Sequence, residues 1–518
     1  MNMNLPRKAF DSSQKTAAIA ALISILLSAW LIWSDGVVNR DGVLYLRSAE
    51  AFANGDWSQA TSIYRWPFYS WLIAEFHQWG GLSLEMAGYA INTIFFALLV
   101  YAFVLLVEAI YPASRLGAWA ALTILLLAQL NDYRCYVIRD VGYWALYLTA
   151  ILFFLKYLRR PEFGYALGWG LAILIATLFR IEGVLLMAFL PFLILTNGAE
   201  RWPTRFRCFA QTQAVLLLGA GILLAYLFVA PDSSTSLGRL ADPVAWAMKF
   251  LSAITTDIGV KAEALQSAIL NKFTTHLAVP GVLSILGLIV VTQILSALGI
   301  FHLSALAYAC IRKPFKLDPL AHKTLIWLVA IQTIILVVSA TNLFFLTGRY
   351  AVPLALTLCL LVPPGLLEIH RRYADRRDAK GFRARLVPLT FLALMLFSAV
   401  DSLLSFGPSN RYLKEAGQWL EQNTPPETRI LTNNEILAFY AKKPWAQERI
   451  PMSDAQVQAF LNAPADYDYF VIDINRKRTH DAALYSQKLG AEPIARFANE
   501  RGSQILIFRN AKTKGSVP

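Results

Sequence analysis

Two acidic residues and one arginine stand where long apolar runs meet short polar segments. Asp41 follows the first apolar run, Asp140 closes a polar segment before the fourth run, and Arg349 precedes the tenth. A carboxylate at the edge of the lipid is costly unless it is paired or used, so each acid is a functional candidate. A carboxylate can take a proton from a hydroxyl, and a guanidinium can hold a phosphate with two hydrogen bonds. These residue types suit the transfer of a group from a lipid phosphate. The phosphate that leaves is negatively charged, and this charge must be neutralised.

Further polar side chains are expected at the same outer edge of the lipid. Those that could support the reaction are Arg40, Arg65, Arg139, Arg180, Glu182 and Tyr350. Arg180 and Glu182 lie between two short apolar runs and most simply form an ion pair with each other. Asp132 and Arg134 are interpreted as solvated loop charges. The aromatic residues between positions 66 and 79 suit a helix that lies in the membrane interface.

Each of the three leading residues also has a structural explanation. Asp41 could cap a helix that begins at Gly42. Asp140 could cap the fourth apolar helix or pair with its neighbour Arg139. Arg349 could extend its charge from a helix end toward the lipid headgroups. The sequence leaves these alternatives open, because each of them uses the same residue type at the same place.

The composition is that of a membrane protein. The chain has 518 residues, 57% of them hydrophobic, and its mean hydropathy is +0.48. Soluble domains are nearer to about 45–50% apolar, and a run of roughly 18 or more apolar residues can cross a bilayer. We predict eleven crossings, at residues 16–34, 86–111, 116–131, 141–158, 164–179, 181–196, 209–230, 279–311, 324–341, 350–369 and 387–406.

The charge pattern orients these predicted helices. With the N-terminus inside, the inner loops hold most of the basic excess that gives the chain its net charge of +13, as the positive-inside rule requires. Segments that follow an odd number of crossings lie outside, and these include the loops 35–85 and 231–278. We predict a polytopic α-helical membrane domain over residues 1–406 and a small extracytoplasmic α/β domain over residues 407–518. Its strands are predicted at residues 429–432, 467–473, 494–497 and 504–508.

Several ligand classes have no signature in the sequence. The four cysteines and six histidines show no spacing typical of a zinc site. The chain has neither a Walker loop nor a GxGxxG segment, so nothing indicates ATP or NAD chemistry. The basic run at residues 371–385 is interpreted as a topology anchor that faces anionic lipid rather than nucleic acid. We therefore predict no cofactor and no nucleic-acid partner.

Four motifs occur in one order and at one predicted membrane depth. They are Asp41 with a following helix and an aromatic-proline stretch, Arg139-Asp140, Arg180-Ile-Glu-Gly, and Gly348-Arg-Tyr-x-x-Pro. In these motifs, roughly residues 16–406 resemble the GT-C glycosyltransferases, in particular the protein-mannosyltransferase and aminoarabinose-transferase branch (glycosyltransferase family 39). The resemblance implies an inverting enzyme, which we expect in the bacterial inner membrane. Its donor would be a polyprenyl-phosphate sugar, and its acceptor a hydroxyl of a glycan, lipid or protein. The charge pattern and the crossing count predict a cytoplasmic N-terminus and a periplasmic C-terminal domain.

The resemblance also implies roles for individual residues. Asp41 would be the catalytic base, and Asp140 a second acid that positions the acceptor or supports Asp41. Arg349 would contact the donor phosphate, and we place Arg139 and Tyr350 at the same phosphate site. The remaining charged residues of the outer edge are expected to support this site.

The sequence departs from the family at one point. Members often carry a second acid close to the first, but here Gly42 follows Asp41. This difference leaves open both a dependence on a divalent metal and a contribution from Asp35.

A transporter or lipid flippase is the alternative from another functional class. Such a protein is expected to have polar groups at mid-bilayer and paired broken helices. The charges of this chain collect at one predicted face instead, which favours an enzyme. A polymerase or ligase of lipid-linked glycans would use the same donor chemistry and remains a further alternative.

The predicted topology can be tested with reporters fused after Lys512. A reporter that folds only outside the cytoplasm should be active there, and one that folds only in the cytoplasm should be silent. The same two reporters fused after Ala379, in the basic inner segment, should give the reverse result. A cytoplasmic signal after Lys512 would overturn both the topology and the outer placement of the site.

Overall fold

The computed structural model describes residues 7–112, 114–196, 198, 200–229, 252, 256–314, 316–375, 382–404, 409–443, 445–447, 467–476 and 481–510. The chain divides into two compact units. The first comprises Met1–Ala29, Arg47–Arg134 and Ile138–Leu403, and the second Trp30–Leu46, Cys135–Val137 and Leu404–Pro518. Much of the predicted outer loop 231–278 and part of the basic run 371–385 lie outside the described residues.

Helices dominate the chain up to residue 404. The first twelve are α1 (Arg7–Asp35), α2 (Arg40–Ala53), α3 (Trp57–Ile63), α4 (Phe68–Gly80), α5 (Leu84–Ile110), α6 (Gly117–Leu125), α7 (Ala128–Asn131), α8 (Asp140–Arg159), α9 (Phe163–Phe179), α10 (Gly183–Phe189), α11 (Phe192–Leu195) and α12 (Trp202–Val229). The next six are α13 (Ile258–Ala268), α14 (Ala278–Arg312), α15 (Pro319–Leu343), α16 (Gly348–Cys359), α17 (Val362–Asp375) and α18 (Phe382–Leu403). Short 3-10 helices lie at Asp132–Cys135 and Thr275–Leu277.

Several of these helices have the length and apolar character of membrane spans. Among the described residues, six qualify singly, namely α1, α5, α8, α14, α15 and α18. The pair α16 and α17, bent by 51°, would make a seventh, and α9 and the α10–α11 segment are shorter apolar helices. The chain is therefore a multi-pass membrane protein of the predicted α-helical class. The predicted number of eleven crossings stays a prediction.

Four of the predicted apolar runs are not single straight helices, and one of them, 181–196, is divided between α10 and α11. The run 116–131 is divided between α6 and α7, and the run 350–369 is divided between α16 and α17. Pro363 and Pro364 stand at the start of α17, where their missing N–H groups cannot continue the hydrogen-bond ladder of α16. The helix α14 turns at Gly299, whose φ of 65° is accessible because glycine has no Cβ.

The C-terminal part of the second unit contains a five-stranded sheet of strand order β2-β1-β3-β5-β4. Its strands are β1 (Ile430–Thr432), β2 (Trp445–Gln447), β3 (Tyr469–Ile474), β4 (Ala495–Ala498) and β5 (Gln504–Arg509). Strand β1 pairs in parallel with β2 and β3, whereas β5 pairs antiparallel with β3 and β4. The helices α19 (Arg411–Asn423), α20 (Glu435–Ala441) and α21 (Asp481–Leu489) accompany the sheet.

Both faces of this sheet are covered by helices. Successive residues of a strand point to opposite faces, so Ile430 belongs to one buried cluster and Leu431 to the other. The first cluster joins Ile430, Val471, Ile505 and Ile507 to α19 and α20. The second joins Leu431, Phe470, Ile472, Leu506 and Phe508 to Tyr485 of α21.

Four of these strands occur close to where the sequence predicted them. The prediction missed β2, which is only three residues long and shows no alternating pattern of its own. A three-residue edge strand exists because a neighbour, here β1, supplies its hydrogen-bond partners. The helix α19 begins two residues after Ser409, whose Oγ accepts a hydrogen bond from the N–H of Arg411 at 3.2 Å.

Candidate functional site

Close packing between α8 and α9 brings the first polar residues of the site together. Gly142, in the first turn of α8, lies against Phe179 at the end of α9, and a Cβ at residue 142 would be 2.5 Å from the Phe179 ring. No larger residue fits there unless Phe179 moves. Because Arg180 directly follows Phe179, this contact sets Arg180 opposite Asp140 at the start of α8.

Asp140 lies between two arginines. Its Oδ1 accepts a hydrogen bond from Nη1 of Arg180, and its Oδ2 lies 3.7 Å from Nη1 of Arg349. The side chains of Asp140 and Arg180 are 3% and 7% exposed, whereas that of Arg349 is 23% exposed. Removing one partner of a buried ion pair typically costs about 3–5 kcal/mol. Asp140 is therefore strongly coupled to both guanidinium groups.

The second acid of this cluster is Glu182, which directly precedes α10. Its carboxylate accepts hydrogen bonds from Nε and Nη2 of Arg180, at 3.2 and 2.5 Å, so the expected ion pair is present. The Arg180 guanidinium thereby places an opposite charge beside the largely buried carboxylate of Glu182. The connection between α9 and α10 is tight, because Gly183 lies against Thr177. A Cβ at residue 183 would be 2.5 Å from Oγ1 of Thr177.

The start of α16 contributes a cation and an aromatic ring to the same cluster. The guanidinium of Arg180 stacks on Tyr350, with Cζ 4.3 Å from the ring centroid. Gly348 lies against Tyr133, and a Cβ at residue 348 would be 3.0 Å from the hydroxyl oxygen of Tyr133. The sequence shows no acid close to Arg349, but the fold supplies Asp140 from α8.

Arg139 lies on an aromatic side of the site. Its Cζ is 5.6 Å from the ring centroid of Tyr64 and 6.0 Å from that of Trp66. Trp66 is buried, and its Nε1–H donates a hydrogen bond to the carbonyl oxygen of Leu178 at 2.5 Å. The prediction that the aromatics of this stretch are interfacial anchors is therefore wrong for Trp66, which packs inside the first unit.

The capping explanation for Asp140 is also wrong. Asp140 lies within the first turn of α8, and Arg139 stands at the N-cap position. The hydrogen-bond partner of Asp140 is Arg180, which lies forty residues further along the chain. A sequence pattern gives no signal for a pair of this separation.

Arg134 was expected to be a solvated loop charge, and this expectation is wrong. Its side chain is buried, and Nη1 donates hydrogen bonds to the hydroxyls of Ser24 and Ser28 in α1, at 3.0 and 2.7 Å. Its Cζ lies 4.4 Å from the ring centroid of Phe96 in α5. Arg134 therefore connects α1 with the helices around it, whereas Asp132 is exposed as expected.

Asp41 belongs to the second unit. It lies within the first turn of α2, so the explanation that it caps a helix beginning at Gly42 is wrong. A Cβ at Gly42 would be 2.8 Å from Oδ1 of Asn39 and 3.1 Å from Cβ of Val137. No side chain, acidic or otherwise, fits at residue 42 without moving these neighbours, which accounts for the missing second acid.

Two arginines that were expected to support the site lie at the surface. Arg40 pairs with Glu435 within the second unit, at 2.9 Å between Nη2 and Oε1, and its side chain is 74% exposed. Arg65 is exposed between α3 and α4 of the first unit. Exposed ion pairs contribute only about 0–1 kcal/mol, so Arg40 is held far less firmly than Arg180.

The cluster in the first unit is cationic overall. Arg139, Arg180 and Arg349 carry three positive charges against the two negative charges of Asp140 and Glu182, a formal net charge of +1. Guanidinium groups that are largely shielded from water suit an anion such as a phosphate. Arg180 lies between the two carboxylates and donates hydrogen bonds to both of them. Within the described part of the chain, no group of three His, Cys, Asp or Glu residues could hold a metal ion.

No protein-family model and no curated protein matches this sequence. Solved structures do match it. The archaeal oligosaccharyltransferase AglB from Archaeoglobus fulgidus, in complex with an inhibitory peptide and a dolichol-phosphate, is 14% identical at a TM-score of 0.54, over 98% of this chain and 75% of that chain. The oligosaccharyltransferase of the same organism in complex with Zn and sulfate is 15% identical at a TM-score of 0.54, over 92% and 69%.

A third match is ArnT from Cupriavidus metallidurans bound to undecaprenyl phosphate, 13% identical at a TM-score of 0.47, over 99% of this chain and 100% of that chain. The two oligosaccharyltransferase structures decide the fold, because their TM-scores exceed 0.5. The chain has the GT-C fold that the sequence motifs predicted.

The packing of Phe179 on Gly142 can be tested by Gly142→Ala. The added methyl group would overlap the ring, so we expect the protein to be destabilised by about 1–3 kcal/mol. Thermal unfolding of the purified protein in detergent measures this change. Gly164→Ala is the matched control, because a Cβ there meets no atom within 4 Å. Equal unfolding temperatures for the two variants would contradict the close packing.

Proposed function

We propose that the protein is an inverting glycosyltransferase that moves a sugar from a polyprenyl-phosphate donor to an acceptor hydroxyl. The reaction would take place at the outer face of a bacterial inner membrane. The observation that carries this proposal is the buried Asp140 between Arg180 and Arg349, which belongs to a cationic cluster on a GT-C fold. AglB, which shares this fold, binds a dolichol-phosphate. A polyprenyl phosphate presents the same phosphate headgroup as a dolichol-phosphate.

The donor phosphate would bind at the start of α16. Arg349 is the more exposed guanidinium on Asp140 and could place its fork of N–H groups against the phosphate oxygens. The first turn of α16 adds backbone N–H groups and the positive end of the helix dipole. Arg139 would add a further positive charge, and Tyr350 would face the donor beside Arg180.

Asp140 has a different task in this proposal. A carboxylate engaged by two guanidinium groups is poorly suited to take a proton, because both positive charges stabilise its ionised form. We therefore assign Asp140 to positioning, with Glu182 holding the other side of Arg180. Positioned charges neutralise the leaving phosphate without having to reorganise during the reaction.

Asp41 would be the catalytic base. Its carboxylate takes the proton of the acceptor hydroxyl while the hydroxyl oxygen attacks the anomeric carbon from the side opposite the phosphate. The new carbon–oxygen bond forms as the bond to the phosphate breaks, and the polyprenyl phosphate leaves with the electron pair. A single displacement of this kind inverts the anomeric centre. In this proposal residues 1–406 form the catalytic membrane domain and residues 407–518 a periplasmic domain.

Asp41→Asn tests the assignment of the base. An amide cannot take the proton, so transfer should fall by about 10²-fold or more, while folding and membrane insertion stay intact. Asp56→Asn is the matched control from the same outer segment, because Asp56 caps α3 and asparagine caps equally well. Transfer is measured with purified protein, a polyprenyl-phosphate sugar and a mixture of acceptors. A wild-type rate for Asp41→Asn would refute the assignment of Asp41 as the catalytic base.

Variants of Arg349 test the phosphate site. Arg349→Lys keeps the charge but loses the planar fork, so donor use should weaken partially, whereas Arg349→Ala should lose it severely. The measurement is steady-state transfer against donor concentration, which separates weaker binding from slower turnover. Thermal unfolding is measured in parallel because Arg349 also pairs with Asp140. Arg372→Ala, which breaks the ion pair with Glu368 in α17, is the control. A folded Arg349→Ala protein with wild-type parameters would refute the phosphate role.

A further inference from the structure

The chain between α1 and α2, which leads to Asp41, is held by residues around the start of α19. Ser409 Oγ donates a hydrogen bond to Oδ1 of Asp35 at 2.7 Å. Lys414 Nζ donates to the carbonyl oxygen of Gly36 at 3.4 Å, and the Arg411 guanidinium donates to backbone carbonyls at the end of α1. All of these residues belong to the second unit. The C-terminal part of that unit thus contacts the chain where it leaves α1.

The most buried of these contacts is made by Tyr440 in α20. Its hydroxyl oxygen accepts a hydrogen bond from the backbone N–H of Val38 at 2.9 Å, and the two residues are 6% and 0% exposed. Val38 lies outside any helix or strand, so its N–H is bonded by a side chain from elsewhere in the chain. A buried backbone N–H that loses its acceptor carries a penalty comparable to a lost hydrogen bond. The Tyr440 hydroxyl therefore favours one conformation of the backbone at Val38.

A second contact reaches the residue before Asp41. Glu435, the first residue of α20, pairs with Arg40 at 2.9 Å. Asn434 caps α20 by accepting two backbone N–H groups, and it donates a hydrogen bond to Oδ2 of Asp473 in β3 at 2.7 Å. The helix that carries both Glu435 and Tyr440 is thereby fixed to the sheet.

Asn39 links this segment to another part of the chain. Its Oδ1 accepts a hydrogen bond from the backbone N–H of Val137 at 2.8 Å, and both residues belong to the second unit. Asn39 stands two residues before Asp41, and Val137 stands three residues before Asp140. One side chain therefore joins the two segments that lead to the candidate acids.

We infer that the C-terminal domain positions the segment that leads to the catalytic base, with Tyr440 and Glu435 as positioning residues that fix residues 36–40. This inference rests on the role proposed for Asp41. Residues 36–39 have no internal hydrogen-bond ladder that fixes their backbone, so external contacts set the position of the start of α2, which carries Asp41. A catalytic group displaced by about 1 Å can lower a rate by about 10²-fold. Tyr440 and Glu435 would act on Asp41 through the backbone, without touching the reacting atoms.

Tyr440→Phe in the full-length protein tests this inference. The change removes the hydroxyl and keeps the ring in place. We expect amide exchange in a peptide containing Val38 to rise about tenfold, since one hydrogen bond is lost. We also expect turnover to fall about tenfold at an unchanged KM for the donor. Tyr485→Phe is the matched control, because Tyr485 packs on the opposite face of the sheet. It should leave both measurements at their wild-type values.

A second set of variants uses the exposed ion pair and covers the case in which Tyr440→Phe does not fold. Arg40→Glu and Glu435→Arg should each lower turnover by about two- to fivefold. The double exchange should restore turnover, because it re-forms the pair with reversed charges. Single variants with wild-type turnover, or a double variant that is no better than the singles, would overturn the positioning role of Glu435.

The outcomes separate this inference from the proposed function. Unchanged exchange at Val38 in Tyr440→Phe would refute the hydrogen-bonded restraint. Raised exchange with wild-type turnover, alongside an inactive Asp41→Asn, would refute positioning while the base assignment stands. An active Asp41→Asn would refute the base assignment itself, whatever Tyr440→Phe shows.

Discussion

The ion pair between Arg180 and Asp140 is the constraint around which the first unit is arranged. Both side chains are almost completely buried at the ends of apolar helices. A charge in such a place is stable only beside an opposite charge and with its hydrogen bonds satisfied. Arg180 also pairs with Glu182 and stacks on the ring of Tyr350. Arg349 lies beside the second carboxylate oxygen of Asp140. Three separate segments of the chain must therefore meet at one point.

Glycines make this meeting possible. Gly142 admits the Phe179 ring, Gly183 admits Thr177, and Gly348 admits the hydroxyl of Tyr133. At the first two positions a Cβ would overlap atoms of the neighbouring helix. Interiors packed to this density transmit the position of one helix to the next. The distance between the charged groups is thus fixed by contacts between uncharged residues.

The segment that leads to Asp41 obeys a different constraint. Gly36, Val37 and Val38 form no regular structure, and the N–H of Val38 is buried. A buried N–H must find an acceptor, and here the acceptor is a tyrosine hydroxyl 402 residues further along the chain. The conformation of this segment therefore depends on contacts with the sheet domain, which has a buried core on each face of its sheet.

The membrane class, most helix positions, four of the five strands and the types of polar residues at the helix ends could be predicted from the sequence. Those features depend on local composition and on the period of apolar residues, which a single segment carries. The pairing of Asp140 with Arg180 and Arg349, the burial of Arg134 and the contact of Tyr440 with Val38 could not be predicted in this way and became visible in the folded chain. A partner 40 or 402 residues away leaves no trace in local periodicity. Which charges meet depends on how the helices pack, and packing is set by the shapes of many side chains at once.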